Sequence, residues 1–179
     1  HINNVIRTGK QPAINFAHSS IRSSMLEEIE ALETSLSLTS VTPEIIWELG
    51  TSLAQKAMDE KLPIGIEIRI GELCAFCFAA DGVTPNTQNW INRKLNTCDF
   101  FGHSTLWVNE KTGGDASLLD TKYGLDPHLS ANAPGGMPII LKGFGRVGAI
   151  AVSGLAAHKD HELVVEALRK LQTKLNQPG

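Results

Sequence analysis

Ile64, Ile66, Ile68 and Ile70 alternate strictly with Gly65, Glu67 and Arg69, and the run stops at Gly71-Glu72. A period of two is the signature of a β-strand, because successive side chains point to opposite faces of a sheet. Gly71 at the first position of a two-residue connection suits the tight turn whose twist matches paired strands. The chain is therefore expected to return at once as Leu73-Cys74-Ala75-Phe76-Cys77-Phe78. In that register Ile68 faces Ala75 and Ile66 faces Cys77 on one side, while Glu67 faces Phe76 and Gly65 faces Phe78 on the other. Neither side is plainly polar, so helices or a second subunit must cover both.

Gly143-Phe144-Gly145-Arg146-Val147-Gly148 matches the G-x-G-x-x-G of dinucleotide-binding proteins. In that motif the glycines open a helix whose free N–H groups face a pyrophosphate. Here Ile139-Ile140-Leu141 precedes the glycines and Val147 to Val152 follows them, so a strand stands where a helix is required. The position about twenty residues on, acidic in the true motif, is Leu168. The stretch reads as a second hairpin connection, and no NAD, FAD or ATP is expected there.

Helices are announced by their caps. Ser24 with Glu27 forms a capping box ahead of Met25, Ile29 and Leu32, predicting a first helix to about Thr34. Leu36-Ser37-Leu38 alternates as a short strand. Thr42-Pro43-Glu44 opens a helix with a stripe of Ile45, Leu49, Leu53 and Ala57. Thr84-Pro85 opens another that runs through Trp90, Ile91, Leu95 and Cys98 to Phe101, with Gly102 as its C-terminal cap. A long Gly-, Asp- and Pro-rich connection spans Lys111 to Met137, and Leu163, Val164, Ala167, Leu168 and Leu171 form a last amphipathic helix. Hairpins join the strong strands, so the fold class is α+β, an antiparallel sheet of about five strands with helices on both faces.

With 179 residues, 42% of them apolar and 20% charged, the chain suits one domain over 25–179. Residues 1–24 are expected to form an N-terminal arm, with His1 a candidate cloning remnant and Met25 a candidate start. No signal-peptide layout or membrane-spanning apolar run stands out. A net charge of -3 with scattered Lys and Arg argues against a nucleic-acid partner. Three cysteines, an odd number, suit a reducing, cytoplasmic setting. Cys74-Ala75-Phe76-Cys77 is a C-x-x-C match placed in a strand, where residues three apart face opposite ways, so both thiols are expected to be buried and structural. Cys98 is expected to be buried on its helix.

Chemistry-bearing residues are sparse. Lys94 falls inside the apolar arc of the Trp90 helix, and Arg93 falls outside it, free to fork onto a carboxylate or phosphate. A lysine in that position is either a snorkelling stem or a buried amine seeking an anion. His103 follows the helix end, and Ser104 is placed to cap Leu106-Trp107-Val108. Asp160 and His161 start the last helix on its apolar side, as a first-turn acid and a core histidine or ligand. Arg93, Lys94, His103, Ser104, Asp160 and His161 are the candidate ligand-binding residues, expected to gather in one place. No nucleophile elbow or i, i+4 metal pair accompanies them, so no catalytic residue is assigned.

These residues, with Trp90-Ile91-Asn92-Arg93-Lys94, Thr97, Phe101-Gly102-His103-Ser104, Gly135-Gly136 ahead of Pro138, Val152-Ser153-Gly154-Leu155 and Asp160-His161, resemble a branch of the haem-degrading (GlcG-like) domain family. The similarity runs from about Leu26 to the C-terminus. The resemblance implies a profilin-like fold with a five-stranded antiparallel sheet and assembly into symmetric homo-oligomers. Some relatives bind or degrade haem, and many of this branch carry arginine where this chain has His103. Two functions are implied. One is a non-catalytic homo-oligomeric binding or scaffold protein. The other is a haem or tetrapyrrole binder with His103 or His161 as axial ligand and Arg93 or Lys94 on the propionates.

Overall fold

A computed structural model describes residues 13–179. In chain order the elements are α1 (Ala13–Ser35), α2 (Pro43–Asp59), β1 (Gly65–Ile70), β2 (Leu73–Ala79), α3 (Pro85–Phe101), α4 (Thr105–Lys111), α5 (Ser117–Thr121), β3 (Gly136–Leu141), β4 (Gly145–Ser153) and α6 (Ala157–Leu175). Two antiparallel hairpins, β1–β2 and β3–β4, join through a β1–β4 pairing to give the order β2-β1-β4-β3. The glycine stretch is the hairpin connection expected, closing between Leu141 and Gly145. The sheet has four strands rather than about five. Leu36-Ser37-Leu38 makes only a one-residue parallel bridge from Leu38 to Leu141 beside β3.

The alternation of β1 sorts the layers. Ile66 and Ile68, fully buried, face one side with Ile150 and Val152 of β4, and α2 and α6 pack there through Leu49, Leu53, Val164 and Leu168. Burying each such side chain contributes about 1.5–3 kcal/mol. Gly65, Glu67 and Arg69 face the other side, where Ile91, Leu95 and Cys98 of α3 lie on Ala149 and Ala151. The small residues there let α3 sit close: a Cβ on Gly65 would lie 2.8 Å from Ile91. Helices thus cover both faces, as expected.

Two local departures matter. The two-residue turn pairs Ile70 with Leu73 and Arg69 with Cys74 as expected, but Ala75 is then an extra residue, and Ile68 pairs with Phe76, Ile66 with Phe78 and Glu67 with Cys77. A β-bulge of this kind restores apolar residues to the core face, since Phe76 and Phe78 now pack beside Ile68 and Ile66. It also corrects the reading of the C-x-x-C: Cys74 and Cys77 are exposed, not buried, and share one face. Cys98 is buried as expected.

The second departure concerns α1. It begins at Ala13, so the expected boundary at residues 24 and 25 falls inside one helix and Ser24 caps nothing. Residues 17–25 are exposed on every side, which is why no apolar period marked them as helical. Of the expected arm, residues 1–12 lie outside the described residues.

Candidate functional site

Lys94 is, with Asp160, the most deeply placed charge among the described residues. From the buried arc of α3 its Nζ donates to the Val152 carbonyl at 2.9 Å and to Asp160 Oδ2 at 3.1 Å, and both side chains are at most 3% exposed. Asp160 Oδ1 accepts the Leu155 N–H at 3.0 Å, so the carboxylate also ties down the turn leading into α6. Because α3 and α6 lie on opposite faces, this pair reaches round the end of β4 and joins the two helical layers. Gly135 makes the space: its φ is 127°, and a Cβ there would come within 2.6 Å of both Lys94 Nζ and the Val152 carbonyl. Desolvation holds the Lys94 amine below its ordinary value, against the opposing pull of Asp160. The same burial holds the Asp160 carboxyl above its ordinary value, with Lys94 restraining the rise. The pair forms one wall of a shallow cleft with Trp90, Ser153 and Leu155.

Arg93 points elsewhere. Its Nε donates to the Ser130 carbonyl at 2.9 Å and its Nη2 to that of Pro127 at 3.2 Å, and the guanidinium lies 4.3 Å from the Trp90 ring centre. The same side of α3 holds the long connection through Asn96, which donates to the Leu129 carbonyl, and Thr97, whose hydroxyl accepts the Ala131 N–H. Arg93 is therefore a fastener of the loop, working with two residues that composition alone left unmarked.

His103 and Ser104 meet a residue not foreseen, Glu33 of α1. Its carboxylate is 3% exposed, lies 2.7 Å from His103 Nδ1 and accepts the Ser104 N–H at 2.7 Å. Ser104 caps α4 as expected, accepting the Trp107 N–H. The His103 ring stacks on Trp107 at 4.2 Å, and the Trp107 indole donates to Glu30. With Glu33 ionised its oxygens only accept, so Nδ1 carries the proton and a neutral His103 leaves Nε2 bare. Glu33 sits one helical turn beyond Ile29 on the inward side of α1. A buried acid in a helix with little apolar periodicity gives no sequence signal beyond its spacing.

His161 lies on the α6 face, buried, and its Nδ1 finds no hydrogen-bond partner among the described residues. Burial holds the imidazole below its ordinary value, with Glu33 and Glu162 opposing, so the ring is neutral at physiological pH. It lines a cleft between α1 and α6 of 490 Å³ with Leu32, Glu162, Val165, Glu166, Arg169 and Lys170. The six candidates therefore do not form one cluster. Lys94 pairs with Asp160, His103 and Ser104 gather on Glu33, Arg93 holds the loop, and His161 stands in its own cleft. Glu33 is the nearest link between two of these groups, since it holds His103 and its charge also acts on His161. Among the described residues no group of three His, Cys, Asp or Glu side chains is placed to hold a metal ion, and no helix is long and apolar enough to cross a membrane.

A family model described as haem degrading protein, HbpS-like, matches residues 41–169. The chain belongs to this HbpS-like family. The UPF0303 protein of Pseudomonas entomophila is 38% identical over 125 residues, 70% of this chain and 69% of its own length. That of Streptomyces avermitilis is 34% identical over 149 residues, covering 83% and 91%. Among solved structures, the Ybr137w protein superposes with a TM-score of 0.78 at 25% identity, over 85% of this chain and 90% of its own. A PduOC–haem complex superposes with a TM-score of 0.61 at 13% identity, over 73% and 94%, a likeness of fold alone. The HbpS-like segment contains Arg93, Lys94, His103, Ser104, Asp160 and His161 but begins beyond Glu33.

Proposed function

We propose that this HbpS-like chain is a non-catalytic, self-associating binding protein. The observation that carries the reading is that its cationic candidates are already committed: Lys94 to Asp160 and a carbonyl, Arg93 to two loop carbonyls. A catalytic or anion-binding site needs those groups free to meet a substrate. What stays unmet is a surface. Trp47 and Leu73, 66% and 70% exposed, flank a groove lined by Val41, Pro43, Ile46 and Ile70 beside β2. The outer edge of β2 has no strand partner among the described residues. An apolar groove along an open strand edge is a natural seat for a second copy of the chain. Light scattering on dilute protein is expected to give a multiple of 19.3 kDa, reduced by Leu73→Lys. A single-chain mass for the unaltered protein refutes the reading.

One observation favours a second reading, haem binding at His161. An unpaired, neutral, buried imidazole beside Leu32 and Val165 has the donor that haem needs, and Arg169 offers a counter-charge, while Lys170 is held by Glu166 at 2.8 Å and Glu162 also lines the cleft. Haem bound there would supply an iron centre, with His161 holding the iron and Arg169 a propionate. In a titration followed in the Soret region, His161→Ala should abolish the band and His103→Ala should leave it. The same spectrum from both variants and the parent excludes ligation by either histidine.

A further inference from the structure

Cys74 and Cys77 lie on β2 outside both apolar cores, with Cys74 also lining the groove beside that strand. On a regular strand, residues three apart lie about 10 Å from each other on opposite faces. The extra residue at Ala75 changes both facts. Cys74 pairs with Arg69 and Cys77 with Glu67, two residues that share a face of β1, so the thiols share that face as successive neighbours. The Cα atoms of their β1 partners are about 6.8 Å apart by strand geometry. The Cys74 thiol donates to the Phe76 carbonyl at 3.7 Å, on its own strand. Both residues are exposed, because α3 covers β1 and β4 but stops short of β2.

Three uses of such a dithiol compete. An intramolecular disulfide needs Cα atoms within about 6.8 Å and sulfurs about 2.05 Å apart, so the ladder spacing sits at its limit. Partial desolvation of the sulfur, with Glu67 adding to it, pushes the Cys74 thiol up to about 11, and the Cys77 thiol is raised as well. Such protonated thiols exchange slowly with other disulfides. A zinc ion wants four ligands, and no third His, Cys, Asp or Glu side chain among the described residues is placed to complete a site. A soft ion content with two sulfurs needs neither a sulfur–sulfur bond nor two further ligands. Two metal–sulfur bonds of about 2.3 Å span sulfurs up to about 4.6 Å apart, and metal binding displaces thiol protons that a neutral environment retains.

We propose that Cys74 and Cys77 form a two-coordinate site for one soft monovalent metal ion of the Cu(I) type, created by the bulge at Ala75. Binding forms two metal–sulfur bonds, breaks two S–H bonds and releases two protons to solvent, with no change of oxidation state. Arg69, opposite Cys74, partly offsets the negative charge of the resulting dithiolate complex. Glu67 is a hard oxygen donor and is not expected to join a soft ion's ligands. Cys74 also lines the groove beside β2, whereas neither cysteine lines the His161 cleft.

The test uses the full chain, reduced and kept anaerobic, titrated with Cu(I) in the presence of the chromogenic chelator bathocuproine disulfonate. The unaltered protein should retain one ion per chain at a chelator concentration that strips both Cys74→Ser and Cys77→Ser. Cys98→Ser, with its thiol in the α3 core, should retain the ion. Far-ultraviolet circular dichroism confirms that the exposed variants are folded, and X-ray absorption should find two sulfur neighbours at the metal. The proposal is overturned if the unaltered protein yields all its copper, if either exposed variant retains as much, or if equimolar zinc displaces the copper.

Discussion

Replacing Lys94 with methionine would leave Asp160 charged, buried and without its cation. Breaking a buried pair from one side costs about 3–5 kcal/mol. Asp160 keeps the Leu155 N–H, which places the expected loss near the lower end, about 3 kcal/mol. For a domain of this size that is a fall in Tm of about 6–12 °C. The loss should depend on pH in a defined direction. Burial already raises the folded carboxyl and Lys94 restrains that rise, so removing the amine raises it further. A group raised on folding stabilises fully below its unfolded pKa, and that contribution is lost as pH rises through the folded value. The deficit of Lys94→Met relative to the parent should therefore be largest near about pH 7 and shrink towards about pH 4. Adding Asp160→Asn to Lys94→Met removes the stranded charge and should recover about 2 kcal/mol at neutral pH. Urea denaturation of the four proteins in the cycle gives these differences directly. A loss below about 1 kcal/mol, of the size seen for exposed pairs, with no pH dependence, would refute the view that the pair joins the two layers.

Gly135→Ala should cost about 3 kcal/mol in the same assay, because its φ of 127° and the crowding by Lys94 Nζ act together. Glu33→Ala should cost about 1–3 kcal/mol by stranding the buried Ser104 N–H. It should also shift tryptophan emission, since His103 loses its anchor and stacks on Trp107. Thr97→Val should speed hydrogen exchange at the Ala131 amide, whose acceptor it removes, and cost about 1 kcal/mol.

The strands were legible because their side-chain period is short and local. Four isoleucines in alternation and a glycine at the turn placed β1 and β2, and the β-branched flanks of Gly143-Phe144-Gly145 placed β3 and β4 against a misleading motif. The bulge at Ala75 was not legible. It answers to Phe76 and Phe78 needing the core face, a requirement set by which side α2 covers. For the same reason Lys94 was found inside its arc while its partner across the sheet end was only one candidate among several. Helix periodicity says which side of a helix is buried, not which face of the sheet receives it, so α3 and α6 both pack on the sheet as expected but on opposite faces, and meet only at Lys94 and Asp160. Leu36-Ser37-Leu38 shows the limit of alternation: three residues suffice for the pattern but make only one bridge. Glu33 was hidden because its burial depends on Ser104, 71 residues away.

The single bridge from Leu38 to Leu141 closes one end of the outer side of β3 and the Thr105 hydroxyl, bonded to Gly136, closes the other, leaving β2 as the one strand with a wholly unpaired flank among the described residues. That asymmetry limits how the sheet can grow. A sheet free at both margins can add neighbours without end, the route by which strands form fibres. A sheet with one free margin has a valence of one. If two copies join β2 to β2 about a twofold axis, the contact is isologous and uses up the free margin of each. The product is a closed pair with Leu38 standing guard at both ends. Further assembly would then have to proceed through faces and side chains, where geometry can be specific, rather than through backbone, where it is not.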